Sequence, residues 1–397
     1  MPIPSLCTSD PILFPTTLGR PRGFPPIGTM VCSSSSDEMH LGIPDDLLIA
    51  EVLIHLPAKS LARCRCVCRS WRAGIAAAAF VRRHRDLSRA RPPLSVLAIP
   101  RECDPDDRHA TSTDITFHRL VLPPPGQMAT EADLVLHKTW HEGITRAIYP
   151  THCDGLVAIA TATDKVFVSN PATGEFAALP LCTHNAELDH GVAKAVPVAL
   201  GFDQWRNSYV VARYFYWTYG ETTFDEATDE WVQDGDYDIG HEVFTLGGGG
   251  GGGSSWELTD DPPHLRLMRF GLRDRKFEVV SRPPTPGWSH LDSMAAMDGK
   301  LCYVHATADA SFFQLWMADD GQDLQWSLRC RIVHAPGFRY FKPIIEDGDM
   351  LVVAVGETVN RYNVQNGSME EVVDKQLRLQ CKRLEGSEFI SQRRLLL

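Results

Sequence analysis

Three cysteines two residues apart, Cys64, Cys66 and Cys68, form the densest group of potential metal ligands in the chain. A zinc site needs thiolates and imidazoles that converge on one point. On a helix a spacing of two turns neighbouring side chains about 200° apart, and no histidine pair at finger spacing follows, so core packing is the expected role. His137 and His141 stand four apart, as in a helical zinc site, yet Lys138, Thr139 and Trp140 between them supply no glutamate base. Both histidines are read as ordinary polar residues. Asp234, Asp236 and Asp238 imitate the opening of a calcium loop, but its sixth position is Ile239 instead of glycine and its twelfth is Thr245 instead of glutamate. The run Gly247 to Gly253 contains every glycine-rich phosphate pattern in a formal sense. No lysine with serine or threonine follows it and no helix pattern opens, so a flexible expansion inside a loop is expected. With no nucleophile elbow and no set of nucleophile, base and orienting group, the chain is expected to be no enzyme and to hold no metal or cofactor.

Composition narrows the remaining classes. The 397 residues are 44% hydrophobic and 22% charged, a globular balance with length for two or three domains. Eleven cysteines, an odd number and too sparse for a disulfide scaffold, point to a reducing compartment, cytoplasmic or nuclear. No window nears the roughly 18 consecutive apolar residues of a membrane span, so no membrane partner is expected. A formal charge of −11 disfavours general attraction to phosphate backbones. The charge is uneven, however: residues 41–91 hold ten Lys/Arg against four acids, a local +6 that leaves −17 elsewhere.

Those chemistry-poor residues sit in elements that the pattern separates cleanly. Residues 1–36 are rich in Pro, Ser, Thr and Gly and end in four serines, so residues 1–38 are expected to be a disordered tail, with an organelle transit peptide as the alternative. Met30 and Met39 offer alternative starts. Residues 39–91 read as a helical module: Pro44, Asp45 and Asp46 open a helix carrying Leu47, Leu48, Val52, Leu53 and Leu56, Pro57 ends it, and Ser60 is the expected cap of the next. Leu61, Cys64, Cys68, Trp71 and Ile75 then recur at helical spacing. Its apolar content exceeds what forty-odd residues can hide, so the following domain or a partner must cover part of it.

Beyond Pro92 and Pro93 short β-rich runs alternate with turn chemistry such as Asn170-Pro171-Ala172-Thr173-Gly174, Asp298-Gly299, Asp347-Gly348 and Asn366-Gly367. A degenerate repeat recurs at Val166–Phe176, Leu267–Phe277 and Arg361–Met369. Residues 95–385 suffice for six or seven blades of about 40–45 residues, so an irregular β-propeller over 92–385 is expected, a sandwich with long loops being the alternative. Residues 224–255 read as a flexible acidic and Gly-rich insertion, solvated or contacting a basic target, and 386–397 as a C-terminal tail. The fold class is thus α+β multidomain, a small all-α module followed by an all-β domain.

The segments Ile43-Pro44-Asp45-Asp46-Leu47-Leu48, Glu51-Val52-Leu53, Leu56-Pro57-Ala58-Lys59-Ser60-Leu61 and Arg65-Cys66-Val67-Cys68-Arg69-Ser70-Trp71, with Phe80, together resemble an F-box. The β half is similar to the F-box-associated domain of plant F-box proteins, through Cys153-Asp154-Gly155-Leu156, Asn170 to Glu175, Leu200 to Asp203, Glu242 to Phe244, Met297 to Leu301 and Leu315-Trp316. The resemblance implies a substrate-recruiting adaptor of a Skp/cullin/F-box ubiquitin ligase. Its F-box would dock on a Skp-type adaptor, and through it on cullin and RING subunits, while the β domain binds an unknown protein target. The residues expected at the adaptor interface are Pro44, Leu47, Leu48, Leu53, Leu56, Pro57, Leu61, Val67 and Trp71. Trp71 helps the box hold its shape, and the prolines set the helix ends. The rival readings are a nucleic-acid-binding protein using the arginine-rich helical segment and a non-catalytic ligand-binding propeller. The acidic remainder of the chain favours the first reading, with no nucleic-acid partner.

Overall fold

The computed structural model describes residues 43–90, most of 95–373 and residues 388–392, so the 1–38 tail and the Gly247–Gly253 run lie outside the described residues. In the helical module Pro44, in extended conformation, leads into α1 (Asp45–Leu47), which continues as a π-helical turn Leu48–Val52 and a 3-10 turn Leu53–His55. Pro57 then occupies the N-cap position of α2 (Ala58–Cys64). The cap expected of Ser60 is therefore displaced: its amide donates to the Pro57 carbonyl from inside the first turn. Proline at this junction sets the φ with which the helix starts. After a turn come α3 (Arg69–Ala76), capped by the Cys68 sulfur accepting from the Trp71 amide, and α4 (Ala78–Arg89). Ile49, Leu53, Ile54, Leu61, Ile75 and Phe80 fill the core between them.

The β half is a ring of antiparallel sheets, a β-propeller. The strands β1 (Ser95–Ile99), β2 (Thr111–Val121) and β3 (Asp133–Thr145) form a meander. The next sheet comprises β4 (Ile148–Cys153), β5 (Leu156–Thr161), β6 (Val166–Asn170) and β7 (Glu175–Ala178). In the third, β8 (Val198–Asp203) and β9 (Ser208–Thr218) precede a separate hairpin, β10 (Glu221–Asp225) with β11 (Glu230–Asp234), before β12 (Asp238–Leu246) and β13 (Glu257–Thr259) complete it. A two-stranded sheet, β14 (Met268–Gly271) and β15 (Lys276–Val279), follows. The last two blades are β16 (Ser293–Met297), β17 (Lys300–Ala306), β18 (Phe312–Ala318), β19 (Trp326–Val333) and β20 (Phe341–Asp347), β21 (Met350–Val355), β22 (Thr358–Asn363), β23 (Met369–Glu371). Finally β24 (Glu388–Gln392) pairs with β1 and makes the first meander a four-stranded blade.

Apolar clusters bridge each sheet to the next around the whole ring. Leu97 and Phe117 meet Val157 and Phe167; Ala158 and Val166 meet Val211 and Phe244; Val210 and Val243 meet Phe270 and Phe277. Leu267 and Val280 meet Ala318 and Trp326, Phe313 meets Phe341, and Val352 and Val359 return to Val96 and Leu120. Among the described residues the ring thus holds five four-stranded blades, with the two-stranded sheet between the third blade and the fourth, not the six or seven full blades that length allows. The difference lies in residues spent on the β10–β11 hairpin and on long connections. Two boundaries also move. Asp238–Leu246 belongs to a blade, which narrows the 224–255 insertion, and the segment expected as a C-terminal tail contains the strand that closes the ring.

The degenerate repeat is a turn geometry. In Asn170–Gly174 and Asn363–Gly367 the first asparagine's carbonyl accepts from the fifth residue's amide and its side chain accepts from the amide two residues on. The fifth residue takes a positive φ, 75° and 70°, which glycine enters without a Cβ penalty. In Gly271–Arg275 the same bond closes the turn with Arg275 at φ 60°.

Candidate docking surface

In the helical module the apolar residues divide into a filled core and an uncovered set. Ile43 is 64% exposed, Leu47 54%, Val52 51% and Val67 64%. The π-turn sets the relation between two of these: at about 4.4 residues per turn, Leu47 and Val52, five apart, fall near one face. Pro44 and Pro57 are exposed and Leu48 is half-buried. Leu53 and Leu61, expected at the interface, are 4% and 0% exposed and belong to the core, with Leu56 and Trp71 packed against it. The Leu53 and Leu61 side chains are thus already covered within the module, while Leu56 and Trp71 stay half-buried. The Trp71 indole Nε1 donates to the Asp45 carboxylate at 3.2 Å, tying α3 to the first helical turn. Ile43 and Val52 are exposed members of the set that the expected list lacked; their mark in the sequence is an apolar residue out of phase with the Leu53–Leu61–Ile75 core.

The cysteine trio does not share a helix, and the expected core packing holds for Cys64 alone, since Cys66 lies in the turn after α2, Cys68 precedes α3, and both are exposed. Cys64 packs against the core, Cys66 donates to the Ala62 carbonyl and Cys68 caps α3. Among the described residues no group of three His, Cys, Asp or Glu is placed to hold a metal ion. His137 and His141 lie on β3, where four residues span about 13 Å, and His137 pairs with Asp114 at 3.2 Å. No helix among the described residues is long and apolar enough to cross a membrane.

The propeller's buried polar groups are mostly paired across elements. Arg213 and Glu242, with side chains 2% and 1% exposed, face each other at 3.5 Å, and the guanidinium also meets Asp164, the Thr183 carbonyl and the Cys182 sulfur. Burial pushes the Cys182 thiol up to about 12, with Arg213 pulling the other way. Asp292 accepts from the Tyr303 hydroxyl, the His305 ring and the amides of Ser289 and Ala306, and burial with that carboxylate raises the Tyr303 phenol. Both networks satisfy buried charge and hold loops to blades. Sequence reasoning missed the Arg213 network because its members lie tens of residues apart, an arginine inside the apolar run Ser208–Thr218 being its visible trace, and missed the Asp292 network although its members fall within residues 289–306.

Comparison with known proteins adds what geometry alone does not. The F-box domain model matches residues 41–76, which ends before α4. The Arabidopsis thaliana F-box protein At2g07140 is 25% identical over 72% of this chain and 75% of its own length. The F-box/kelch-repeat protein At3g44120 of the same plant gives the same figures. A further Arabidopsis protein with an F-box name, At1g30930, is 28% identical over 36% of this chain, and the alignment spans only 37% of that relative. Among solved structures, oligogalacturonate lyase in complex with manganese aligns at 13% identity with a TM-score of 0.29, covering 70% of this chain and 78% of that one. That overlap carries no argument. Residues 41–76 thus match the F-box domain, a β-propeller follows, and plant F-box proteins are similar to the chain over as much as 72% of its length.

Proposed function

We propose that the chain is a substrate-recruiting adaptor of a Skp/cullin/F-box ubiquitin ligase, acting without catalysis of its own. The F-box docks on a Skp-type adaptor, which connects it to cullin and RING subunits, and the propeller, read as an F-box-associated domain, binds a protein target in the cytoplasm or nucleus. The observation that carries the reading is the uncovered apolar set, Ile43, Leu47, Val52 and Val67, on an F-box whose core is complete without them. Helical apolar anchors on a rigid frame suit a partner's helices. Of the nine residues expected at the interface, we assign Pro44, Leu47, Leu48, Pro57 and Val67 to contact with the partner, whereas buried Leu53 and Leu61 support that surface from within and half-buried Leu56 and Trp71 lie between the two sets.

Affinity purification from plant cells tests this with the full chain beside a Leu47→Ala, Val67→Ala variant. The Skp-type adaptor and cullin should fall away from the variant, while proteins held by the propeller persist. Equal recovery of adaptor and cullin from both would remove the proposal.

A further inference from the structure

We infer that Arg85 is a positioning residue: it locks the F-box module onto the propeller and so sets the direction from which a recruited ligase faces this chain. The functional half of this inference rests on the adaptor reading above. The structural half does not.

The observation begins with α4, which lies beyond the F-box match yet serves both bodies. Phe80 and Leu87 pack with the F-box core, Arg83 donates to the Ala50 carbonyl at 3.0 Å, and the His84 ring meets the Leu56 carbonyl at 2.9 Å. One residue on, about 100° around the helix, Arg85 leaves the module. Its guanidinium lies 3.9 Å above the Phe202 ring at the end of β8, and its Nε is 3.9 Å from the Asp154 carboxylate in the β4–β5 turn. The two side chains are 8% and 4% exposed, and Ser88, one turn along, is buried as well.

Neither body needs this contact for its own core. The F-box core is apolar, and the corresponding two-residue turn of the last blade, Gly348-Asp349, stands exposed. Asp154 and Gly155, at φ 51° and 89°, form a turn that requires no arginine. What the contact does accomplish is to bring a charge on each body out of water, in a geometry that survives only while the two remain in register. A helix that slides or swings uncovers more of Phe202 and parts the guanidinium from the Asp154 carboxylate. Because β1 begins six residues after the end of α4, the junction is short as well as pinned. It also selects a face. The inner strands β4 and β8 are neighbours in the ring, and α4 meets the turn after one and the end of the other, so the module covers the side bearing those turns. The opposite side of the ring is left to a target.

The test uses the full chain as wild type, Arg85→Met, Arg85→Glu and Asp154→Asn. Methionine keeps apolar bulk over Phe202 without the charge, and asparagine tolerates the positive φ of the turn. Hydrogen exchange is read peptide by peptide. Amides of α4 and the β4–β5 turn should exchange at least tenfold faster in Arg85→Glu, and measurably faster in the two gentler variants. Protection of the Leu61 and Ile75 helices and of the blade strands should not change. Unchanged α4 exchange in Arg85→Glu overturns the lock, and so does loss of protection throughout the chain in all three variants, because Arg85 would then be a general stability residue. The second readout reconstitutes each variant with a purified Skp-type adaptor, cullin and RING subunit, supplies ubiquitin, ATP and the activating and conjugating enzymes that load ubiquitin as a thioester, and maps ubiquitin on the chain's own lysines. A restricted set in wild type should broaden in the unlocked variants at equal adaptor affinity. An identical map despite faster α4 exchange overturns the directional role. If wild type binds no adaptor, the adaptor reading fails while the exchange result still decides the lock.

Discussion

Replacing Leu47 and Val67 together by alanine should separate docking from folding. Both side chains are more than half exposed, so the pair should change stability by no more than about 0.5 kcal/mol per site. If they anchor a partner, each truncation should cost about 2 kcal/mol of binding, close to 30-fold in Kd, and the pair several hundred-fold or more if the sites act independently. Leu61→Ala is the control of opposite sign. Leu61 is 0% exposed within the F-box core, and its truncation should cost roughly 2–5 kcal/mol of stability through lost burial and a residual cavity. Titration calorimetry of the full chain against a purified plant Skp-type protein, beside a thermal melt, reads both quantities. The reasoning is refuted if the Leu47, Val67 pair binds within threefold of wild type, or if it melts as far below wild type as Leu61→Ala does.

Three further outcomes follow from the propeller. Gly174→Ala, at φ 75° with open space around the added carbon, should cost about 1 kcal/mol or more from backbone strain alone, whereas Gly287→Ala, equally open, should be near neutral; paired denaturation curves compare them. Arg213→Met removes the cation from buried Glu242, which keeps the Thr183 amide and hydroxyl as donors, and should cost about 3–5 kcal/mol, with Arg213→Met, Glu242→Leu regaining part of it in a double-mutant cycle. Burial pushes the Cys182 and Cys302 thiols up to about 12 and Cys330 to about 11, from an ordinary 9.0. A folded value above the unfolded one means that stabilisation is complete below pH 9 and is lost as pH rises toward 12, so unfolding midpoints should fall over that alkaline window. At pH 8 iodoacetamide should reach exposed Cys66 and Cys68 well before those three, as peptide mass mapping will show.

The helical module was legible because its prolines, leucine spacing and Trp71 act locally: Pro44 and Pro57 do start and stop the helical segments. Which leucines face outward was not. Ile49 and Leu53, four apart, turn inward together and leave Val52 outside, but a segment so rich in leucine does not mark in sequence which of its faces meets the core. In the β half the signals Asn170-Pro171-Ala172-Thr173-Gly174 and Asn366-Gly367 do fall in turns between paired strands, the second being the last two residues of a five-residue turn that opens at Asn363. The number of full blades was not visible, since a two-stranded sheet bears the same turn pattern at Leu267–Phe277 as a blade of four strands. Ring closure by β24 escaped notice for a related reason. It joins residues nearly three hundred positions apart, and no local pattern marks the end of the chain as the partner of Ser95–Ile99.

The measurement that bears most directly on the adaptor role is the mass of the complex formed by the full-length chain with a purified Skp-type protein and a cullin, by size-exclusion chromatography with light scattering. The account predicts a single species of one copy each that requires the Skp-type protein, with the cullin eluting apart from the chain when that protein is omitted. Separate elution of the chain from the Skp-type protein at concentrations of about 10 μM, where a Kd tighter than micromolar would hold them together, would contradict it.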